Sequence, residues 1–398
     1  MYHLRMDING SREPWLLPLE RRMRVLYEAR ASGLKCIVAV YNRPDDSTFR
    51  YRIYNVFRAL ETSSSFRLCY FYEKELSHVI PRLGLAAALL LCRTSWTPGI
   101  QRTIDMARLK RIPVLFDVDD RVFDLDCVPL ITSALNCSLE DEAERTYWLN
   151  YISSIYMTAK QADGFTTTNA FLGSCLQEKF GRPFVCIDNS LNEEQLSISA
   201  ELRRRKAETA SDETFVLGYF SGSPSHTNDL KTGLPELLAL LHRYEKMKLM
   251  IAGYMDLPPG LDDLVAAGKI YRMPFVDFRS LQVHIAEVDL NVVPMMENSF
   301  TDCKSELKFF ESAVVDVPTC ATPVYSYRHS IQDKKTGFLC TQGQWYPTIS
   351  GIYEGRYELR AINDSARQYA MDRYSGVRFR TSVENAYDSI LRQIGGGA

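Results

Sequence analysis

Residues 34–72, LKCIVAVYNRPDDSTFRYRIYNVFRALETSSSFRLCYFY, contain the pattern that decides the fold. The apolar runs 34–41 and 66–72 are typical of buried strands, and the segment 50–61 between them is typical of a helix. Two parallel strands need a long crossover connection, which is usually a helix. The stretch therefore predicts a parallel sheet with helices packed on its faces, which is an α/β fold.

The same rhythm continues on both sides of a polar segment. Further strands are predicted at 86–92, 112–118, 162–169 and 183–190, and a second series at 215–220, 248–255, 269–275, 288–295 and 317–324. Residues 191–213 are polar, carry no strand pattern and are interpreted as a linker. We therefore expect two doubly wound domains, with the binding site in the cleft at the carboxyl ends of their strands.

The composition is that of a globular protein. The 398 residues have a formal net charge of -2, so no overall basic field would attract nucleic acid. The ten cysteines show neither CxxC nor Cys/His spacing, which indicates reduced thiols and a cytoplasmic location. The longest apolar stretch, 83–92, is about half of a membrane span, and the N-terminal residues lack a signal-peptide core. Neither a transmembrane helix nor a secretion signal is expected.

A candidate phosphate site follows the strand predicted at 215–220. The strand leads through Ser221, Gly222 and Ser223 into a predicted helix, whose free N–H groups and dipole favour a phosphate. The stretch matches neither GxGxxG nor GxxxxGK[ST], and an ordinary strand-to-helix turn explains it equally well. His226, at the predicted helix start, is a further candidate ligand for phosphate or sugar.

A second candidate site contains two lysines and a glutamate. Lys304 and Lys308 are four residues apart and would share a helix face near its start, with Glu311 about one turn further on. Two ammonium groups at a helix start oppose the helix dipole unless an anion binds between them. A solvated, charged helix face is the alternative.

A third candidate is the acidic end of VLFDVDDRVFD, residues 114–124. Asp117, Asp119 and Asp120 lie close together, and crowded carboxylates repel one another unless a cation or a proton lies among them. Three interpretations stay open: catalytic residues in the cleft, a divalent-metal site on Asp117 and Asp119, or caps of the following turn.

The segment KSELKFFESAVVDVPTCATPVYSYRHSIQDKKTGFL, residues 304–339, resembles the nucleotide-sugar-binding segment of family 4 glycosyltransferases. Residues 162–192 and 273–295 resemble neighbouring parts of the same family, and the match extends over about residues 34–395. The resemblance implies the GT-B fold, in which two doubly wound Rossmann-like α/β domains face each other across a cleft. The implied division is a helical lead-in at 1–32, an N-terminal acceptor-side domain at 33–200, a C-terminal nucleotide-sugar-binding domain at 201–360, and C-terminal helices at 361–395 that pack back toward the N-terminal domain.

The resemblance also implies roles for the C-terminal residues. Glu311 would hold the ribose hydroxyls of the nucleotide. The diphosphate would be bound by Lys308 and the turn 221–223, with Lys304 as a further contact. The base would lie near Met273, Pro274 and Phe275.

The chain departs from the family pattern at two positions. Cys303 stands where the family usually has a first Glu, and Glu297 could replace that Glu only through an insertion. The family's Arg after the first C-domain strand is also missing, with Ser221 and His226 as the nearest polar substitutes.

On the N-terminal side, a branch of the family has Asp-x-Asp-Asp at the end of the strand 112–118. By that resemblance Asp119 and Asp120 face the cleft as catalytic residues. Arg93 and Arg50 match arginines of the same branch and are further cleft candidates, although surface ion pairs would explain them equally well.

The implied activity is that of a retaining glycosyltransferase, hexosyl or deoxyhexosyl, acting in bacterial surface polysaccharide synthesis. It would move a sugar from a UDP-, GDP- or dTDP-linked donor to a glycan or other acceptor, including a lipid-linked one at the inner face of the membrane. No cofactor and no metal are expected, because lysines and helix N-termini would neutralise the phosphates. Two alternatives stay open: a nucleotide-sugar epimerase, and a paralogue that binds nucleotide or glycan without turnover, which the missing first Glu keeps in view.

Overall fold

The computed structural model describes residues 4, 13–134, 137–209, 213–221, 227–253, 255, 257 and 260–395. Within them the strands form two six-stranded parallel sheets, in the orders β2-β1-β3-β4-β5-β6 and β12-β11-β10-β7-β8-β9. The first sheet consists of β1 (Lys35–Tyr41), β2 (Phe66–Tyr72), β3 (Ala88–Cys92), β4 (Val114–Val118), β5 (Gly164–Thr167) and β6 (Phe184–Cys186). The second consists of β7 (Phe215–Ser221), β8 (Met247–Gly253), β9 (Ile270–Met273), β10 (Leu290–Val293), β11 (Thr319–Ala321) and β12 (Phe338–Leu339).

Helices cover both faces of each sheet. Up to the second sheet they are α1 (Leu19–Ala31), α2 (Asn55–Leu60), α3 (Leu76–Val79), α4 (Pro98–Leu109), α5 (Val128–Ala134), α6 (Glu142–Ala159), α7 (Ala170–Phe180) and α8 (Glu193–Glu208). The later helices are α9 (Thr227–Arg243), α10 (Asp262–Ala266), α11 (Phe278–Glu287), α12 (Leu307–Ala313), α13 (Tyr325–Ser330), α14 (Trp345–Tyr353), α15 (Leu359–Tyr374) and α16 (Gly376–Gly395). A π-helical turn at Arg50–Tyr54 leads into α2, and such turns are frequent at functional sites.

The segment 191–213, predicted to be a linker, contains the helix α8. Asn192 caps its start by accepting a hydrogen bond from the N–H of Gln195 at 2.8 Å. Ile198 and Leu202, four residues apart on one face, are buried in the core beneath the second sheet. The helix was not predicted because its apolar stripe is narrow and most of its other residues are charged or polar.

The last helix returns to the first sheet. Phe379, Val383, Tyr387 and Ile390 of α16 share a core cluster with Leu115 of β4.

The carboxyl ends of both sheets border one cleft, where the ends of β7 and β8 approach closely. Gly253 has a φ of +105°, and a Cβ there would lie 1.8 Å from the carbonyl oxygen of Ser221. Within the described residues, no helix is long and apolar enough to cross a membrane.

Candidate functional site

Two adjoining pockets lie between the domains. The larger, of about 370 Å³, is bordered by the carboxyl ends of β7 and β8 and by α12. The smaller, of about 190 Å³, lies toward the end of β4. Both pockets have Ser47, Tyr51, Leu307 and Lys308 in their walls, so these residues mark the junction. A ligand that filled both pockets would pass Lys308.

Lys308 is a partly buried cation at this junction. Its ammonium lies 5.4 Å from the centroid of the Tyr219 ring, and within the described residues it has no hydrogen-bond or ion-pair partner. Burial lowers the pKa of Lys308 to about 8, because attraction to Asp229 only partly offsets the loss of hydration and Lys304 adds repulsion. A bound anion would stabilise the ammonium form of such a buried lysine. Lys304 lies beside Lys308, in the wall of the smaller pocket.

Glu311 lies in the wall of the larger pocket and is 3% exposed. Its Oε1 accepts hydrogen bonds from the hydroxyl of Tyr51 and from Nε2 of Gln195, the latter at 3.1 Å. The guanidinium of Arg50 lies 3.5 Å from the same oxygen. The helix thus brings Lys308 and Glu311 to one pocket, as their spacing indicated. The expectation that Lys304 shares a helix face with Lys308 was wrong, because α12 begins at Leu307 and Lys304 precedes it in an extended conformation.

Arg50 belongs to the N-terminal domain but lies in the wall of the larger pocket. Its guanidinium is stacked between the rings of Tyr51, at 3.9 Å, and Phe278, at 4.7 Å. It also pairs with Asp46 at 3.2 Å, and Asp46 accepts a hydrogen bond from the N–H of Phe278 at 2.7 Å. Burial raises the pKa of Asp46 to about 6 despite the nearby guanidinium of Arg50. These contacts attach the loop after β1 to the start of α11 across the cleft.

The other side of the larger pocket contains part of the predicted base region. Pro274 and Phe275 lie in its wall, and Phe275 is 47% exposed. Met273, the last residue of β9, does not line this pocket and packs against the core beneath the second sheet. Ser221 lies in the pocket wall at the end of β7.

The remainder of the predicted phosphate turn, Gly222 and Ser223, lies outside the described residues, as does His226.

Asp119 and Asp120 both lie in the wall of the smaller pocket. Asp119 accepts a hydrogen bond from the hydroxyl of Thr48 at 2.7 Å and pairs with Arg93 at 3.3 Å. Burial raises the pKa of Asp120, opposed mainly by the ammonium of Lys304. Two carboxylates and a cation therefore lie in the wall of the smaller pocket, which contains neither Pro274 nor Phe275.

Asp117 is not a cleft residue, and that prediction was wrong. It is 2% exposed and forms a bidentate ion pair with Arg52, in which Nε lies 2.9 Å from Oδ1 and Nη2 lies 2.7 Å from Oδ2. Its Oδ2 also accepts a hydrogen bond from the hydroxyl of Thr166 at 2.5 Å. Because these partners occupy its oxygens, Asp117 and Asp119 do not form a shared metal site. Within the described residues, no group of three His, Cys, Asp or Glu side chains is placed to hold a metal ion.

Glu297, the other candidate for the missing first Glu, is exposed and lies in the wall of neither pocket. Cys303, at the position of that Glu, is fully buried against the core of the N-terminal domain. The side chain of Asn169 donates hydrogen bonds to the carbonyl oxygens of Cys303 and Lys304, at 3.1 and 3.2 Å. This backbone is therefore fixed between the domains.

Several residues of the two pockets were not identified from the sequence. Ser47, Thr48 and Tyr51 come from the loop and π-helical turn that follow β1, and Asn189 donates a hydrogen bond to Ser305 in the smaller pocket at 2.9 Å. The rule that ligands bind beyond the carboxyl ends of strands could have identified the loop after β1.

Neither a protein-family model nor a curated protein matches the sequence. Among solved structures, a glycosyltransferase from Rickettsia africae ESF-5 matches with a TM-score of 0.59 and 13% identity, over 92% of this chain and 100% of that chain. Anabaena Alr3699/HepE in complex with UDP and glucose matches with a TM-score of 0.56 and 13% identity, over 89% of this chain and 100% of that one. The pneumococcal O-GlcNAc transferase GtfA in complex with UDP and GlcNAc matches with a TM-score of 0.51 and 15% identity, over 81% and 61% of the two chains. At this low identity the likeness establishes the architecture, and the chain has the GT-B fold, with two parallel α/β sheets facing a shared cleft.

Proposed function

We propose that the chain is a glycosyltransferase that moves a sugar from a nucleotide-diphosphate donor to an acceptor. The observation that carries this proposal is the position of Lys308. Its ammonium lies at the junction of two pockets, one turn of helix from the carboxylate of Glu311. A nucleotide sugar has the same order of parts, with a diphosphate between a ribose and a sugar.

The donor would occupy both pockets. Its base would lie near Phe275, its ribose at Glu311, and its diphosphate at Lys308, with Ser221 and Lys304 as further contacts. Its sugar would then lie in the smaller pocket. HepE has been solved with UDP-glucose, which makes a UDP-linked hexose the first donor to test, ahead of GDP- and dTDP-linked sugars.

The chemistry would depend on opposite charges at the two ends of the breaking bond. The transition state of glycosyl transfer is oxocarbenium-like, so positive charge grows on the sugar while negative charge grows on the leaving diphosphate. Lys308 would stabilise the leaving group, and one well-placed donor of this kind contributes about 2–4 kcal/mol. Asp119 or Asp120 would orient a sugar or acceptor hydroxyl. We propose retention of the anomeric configuration, on the strength of the resemblance to family 4.

The proposal extends to the biological setting. All ten cysteines are free thiols, which supports a reducing compartment and hence a cytoplasmic enzyme. A glycan acceptor in surface polysaccharide synthesis, lipid-linked at the inner membrane face, would suit the family resemblance. The proposed reaction requires no metal or other cofactor.

The test is incubation with UDP-, GDP- and dTDP-sugars without an acceptor. Slow release of nucleotide diphosphate supports a transferase, an altered nucleotide sugar supports an epimerase, and binding alone supports a paralogue without turnover. Lys308→Ala should abolish most of the release, whereas Lys335→Ala, at an exposed lysine of the same domain, should leave it unchanged. Equal release by both variants would contradict the proposal.

A further inference from the structure

A third cavity, of about 280 Å³, opens beside the smaller pocket on the N-terminal domain. It shares Ser47 and Thr48 with that pocket. The rest of its wall is mostly polar and includes Tyr41, Asn42, Arg43, Arg93, Ser95 and Tyr151. It also shares Asp45 and Ser47 with the larger pocket, so a molecule in this cavity would lie next to both donor pockets.

Arg93 connects this cavity to the acidic end of β4. Its Nη1 lies 3.3 Å from Oδ1 of Asp119, and its Nε donates a hydrogen bond to the hydroxyl of Tyr151 at 3.2 Å. Arg93 has a φ of 44°, which is uncommon for a residue with a side chain. The guanidinium of Arg93 therefore contacts both Asp119 and Tyr151.

Aromatic rings lead outward from Tyr151 along α6. Tyr147, one turn earlier, has its ring centroid 6.1 Å from that of Tyr151, and their planes are within 2° of parallel. Tyr147 is 61% exposed. Trp96, which is 38% exposed, lies beside the next turn of α6, where its backbone N–H donates to the carbonyl oxygen of Ser154 at 2.9 Å. The rings of Tyr151, in the cavity wall, and Tyr147 thus form an aromatic surface that runs from the cavity to solvent.

This combination fits a carbohydrate. A sugar ring has an apolar C–H face that can stack on an aromatic ring and hydroxyl groups that bond to arginine, asparagine and serine side chains. A lipid chain or an apolar peptide would need an apolar groove, whereas Asn42, Arg43 and Ser95 make this wall polar. Exposed aromatic surface that continues a cleft usually marks a binding site.

Building on the proposed glycosyltransferase function, we propose that the acceptor is an oligosaccharide of at least two sugar rings. Its reacting hydroxyl would reach Asp119 through the third cavity. A ring further along the acceptor would stack on Tyr151 and Tyr147, so that longer acceptors bind better than monosaccharides.

The test is binding of the full-length protein, with UDP, GDP or dTDP present, to an array of defined mono- and oligosaccharides. Phosphatidylglycerol vesicles and an array of unstructured peptides form the other arms. The wild type should bind oligosaccharides, and Tyr147→Ala should weaken that binding about two- to tenfold. Tyr147→Trp should retain it because an aromatic face remains. Leu149→Ala is the matched control, on another face of the same helix and 41% exposed.

Absence of oligosaccharide binding by the wild type, or equal binding by the wild type and Tyr147→Ala, would overturn the acceptor proposal. Binding to vesicles or peptides that depends on Tyr147 would overturn it in favour of those partners. Calorimetric titration of the same variants with nucleotides and nucleotide sugars tests the glycosyltransferase proposal separately, since Tyr147 lies outside the donor pockets.

Discussion

The hydroxyl of Tyr51, on the N-terminal domain, donates a hydrogen bond to Oε1 of Glu311 in α12 of the C-terminal domain. The two residues are 260 positions apart in sequence, and both are almost fully buried. The carboxylate that we assign to the ribose is therefore held from both sides of the cleft. If the ribose binds Glu311 as proposed, nucleotide binding and the contact between the domains involve the same carboxylate and are energetically coupled.

Tyr51→Phe should weaken nucleotide binding by about 1 kcal/mol, or roughly fivefold, because Glu311 loses a donor that fixes its carboxylate. Isothermal calorimetry with the preferred nucleotide measures this. Tyr54→Phe is the matched control, since it removes a hydroxyl from the same π-helical turn whose partner is Glu194, outside the pockets. Tighter binding by Tyr51→Phe would show instead that Tyr51 competes with the ribose.

Nucleotide-diphosphate affinity should fall as the pH rises above about 8. The pKa of free Lys308 is lowered to about 8 by burial, and a bound diphosphate would raise it by stabilising the ammonium. The affinity for the nucleotide diphosphate is therefore highest below pH 8. Above pH 8 it decreases by up to about tenfold per pH unit, until the pH reaches the pKa of Lys308 in the complex. Affinity measured from pH 7 to 9.5 checks this.

Lys308→Arg should be nearly independent of pH over the same range, because a guanidinium stays charged. A wild-type affinity that does not change between pH 7 and 9.5 would remove Lys308 from the diphosphate site.

The fold was largely predictable because buried parallel strands are continuous apolar runs, as in β1 and β3. The helix α8 was not, since Ile198 and Leu202 are outnumbered by charged residues. A continuous strand would place Asp117 and Asp119 on one face, but β4 ends at Val118 and the chain turns there.

The candidate site was predictable only within single elements. Helical spacing placed Lys308 and Glu311 together because both belong to α12. The partners of Glu311 are Tyr51, Arg50 and Gln195, which are distant from it in sequence. No local sequence pattern shows how two domains pack against each other. For the same reason the sequence showed Asp119 but not its contact with Thr48.

Chelation should leave turnover intact. Phosphate charge is assigned here to Lys308 and Lys304, and Asp117 is occupied by Arg52. Initial rates with and without EDTA, after dialysis against a metal-free buffer, measure this. If EDTA stopped turnover and manganese restored it, Asp119 and Asp120 would have to be reassigned as metal ligands.

Asp119→Asn and Asp120→Asn should separate catalysis from donor binding. Both side chains lie in the smaller pocket, away from Glu311, so the Kd of the nucleotide diphosphate should be almost unchanged. Turnover at saturating donor and acceptor should fall by about ten- to a thousandfold, since a group that acts mainly in the transition state affects kcat. Wild-type turnover in both variants would remove the acidic end of β4 from the catalytic centre.

Asp117→Asn should have the opposite effect, on stability and not on chemistry. The substitution keeps the size of the side chain but leaves the guanidinium of Arg52, which is 1% exposed, without its counter-charge. Breaking a buried ion pair from one side costs about 3–5 kcal/mol, so the urea midpoint of unfolding should drop well below that of Asp119→Asn. Turnover per folded molecule, measured at a temperature where the variant is still folded, should stay within about twofold of the wild type. A stable Asp117→Asn protein with lost turnover would mean that Asp117 acts in the reaction despite its burial. All three carboxylates of this stretch would then take part in the role that we propose for Asp119 and Asp120 alone.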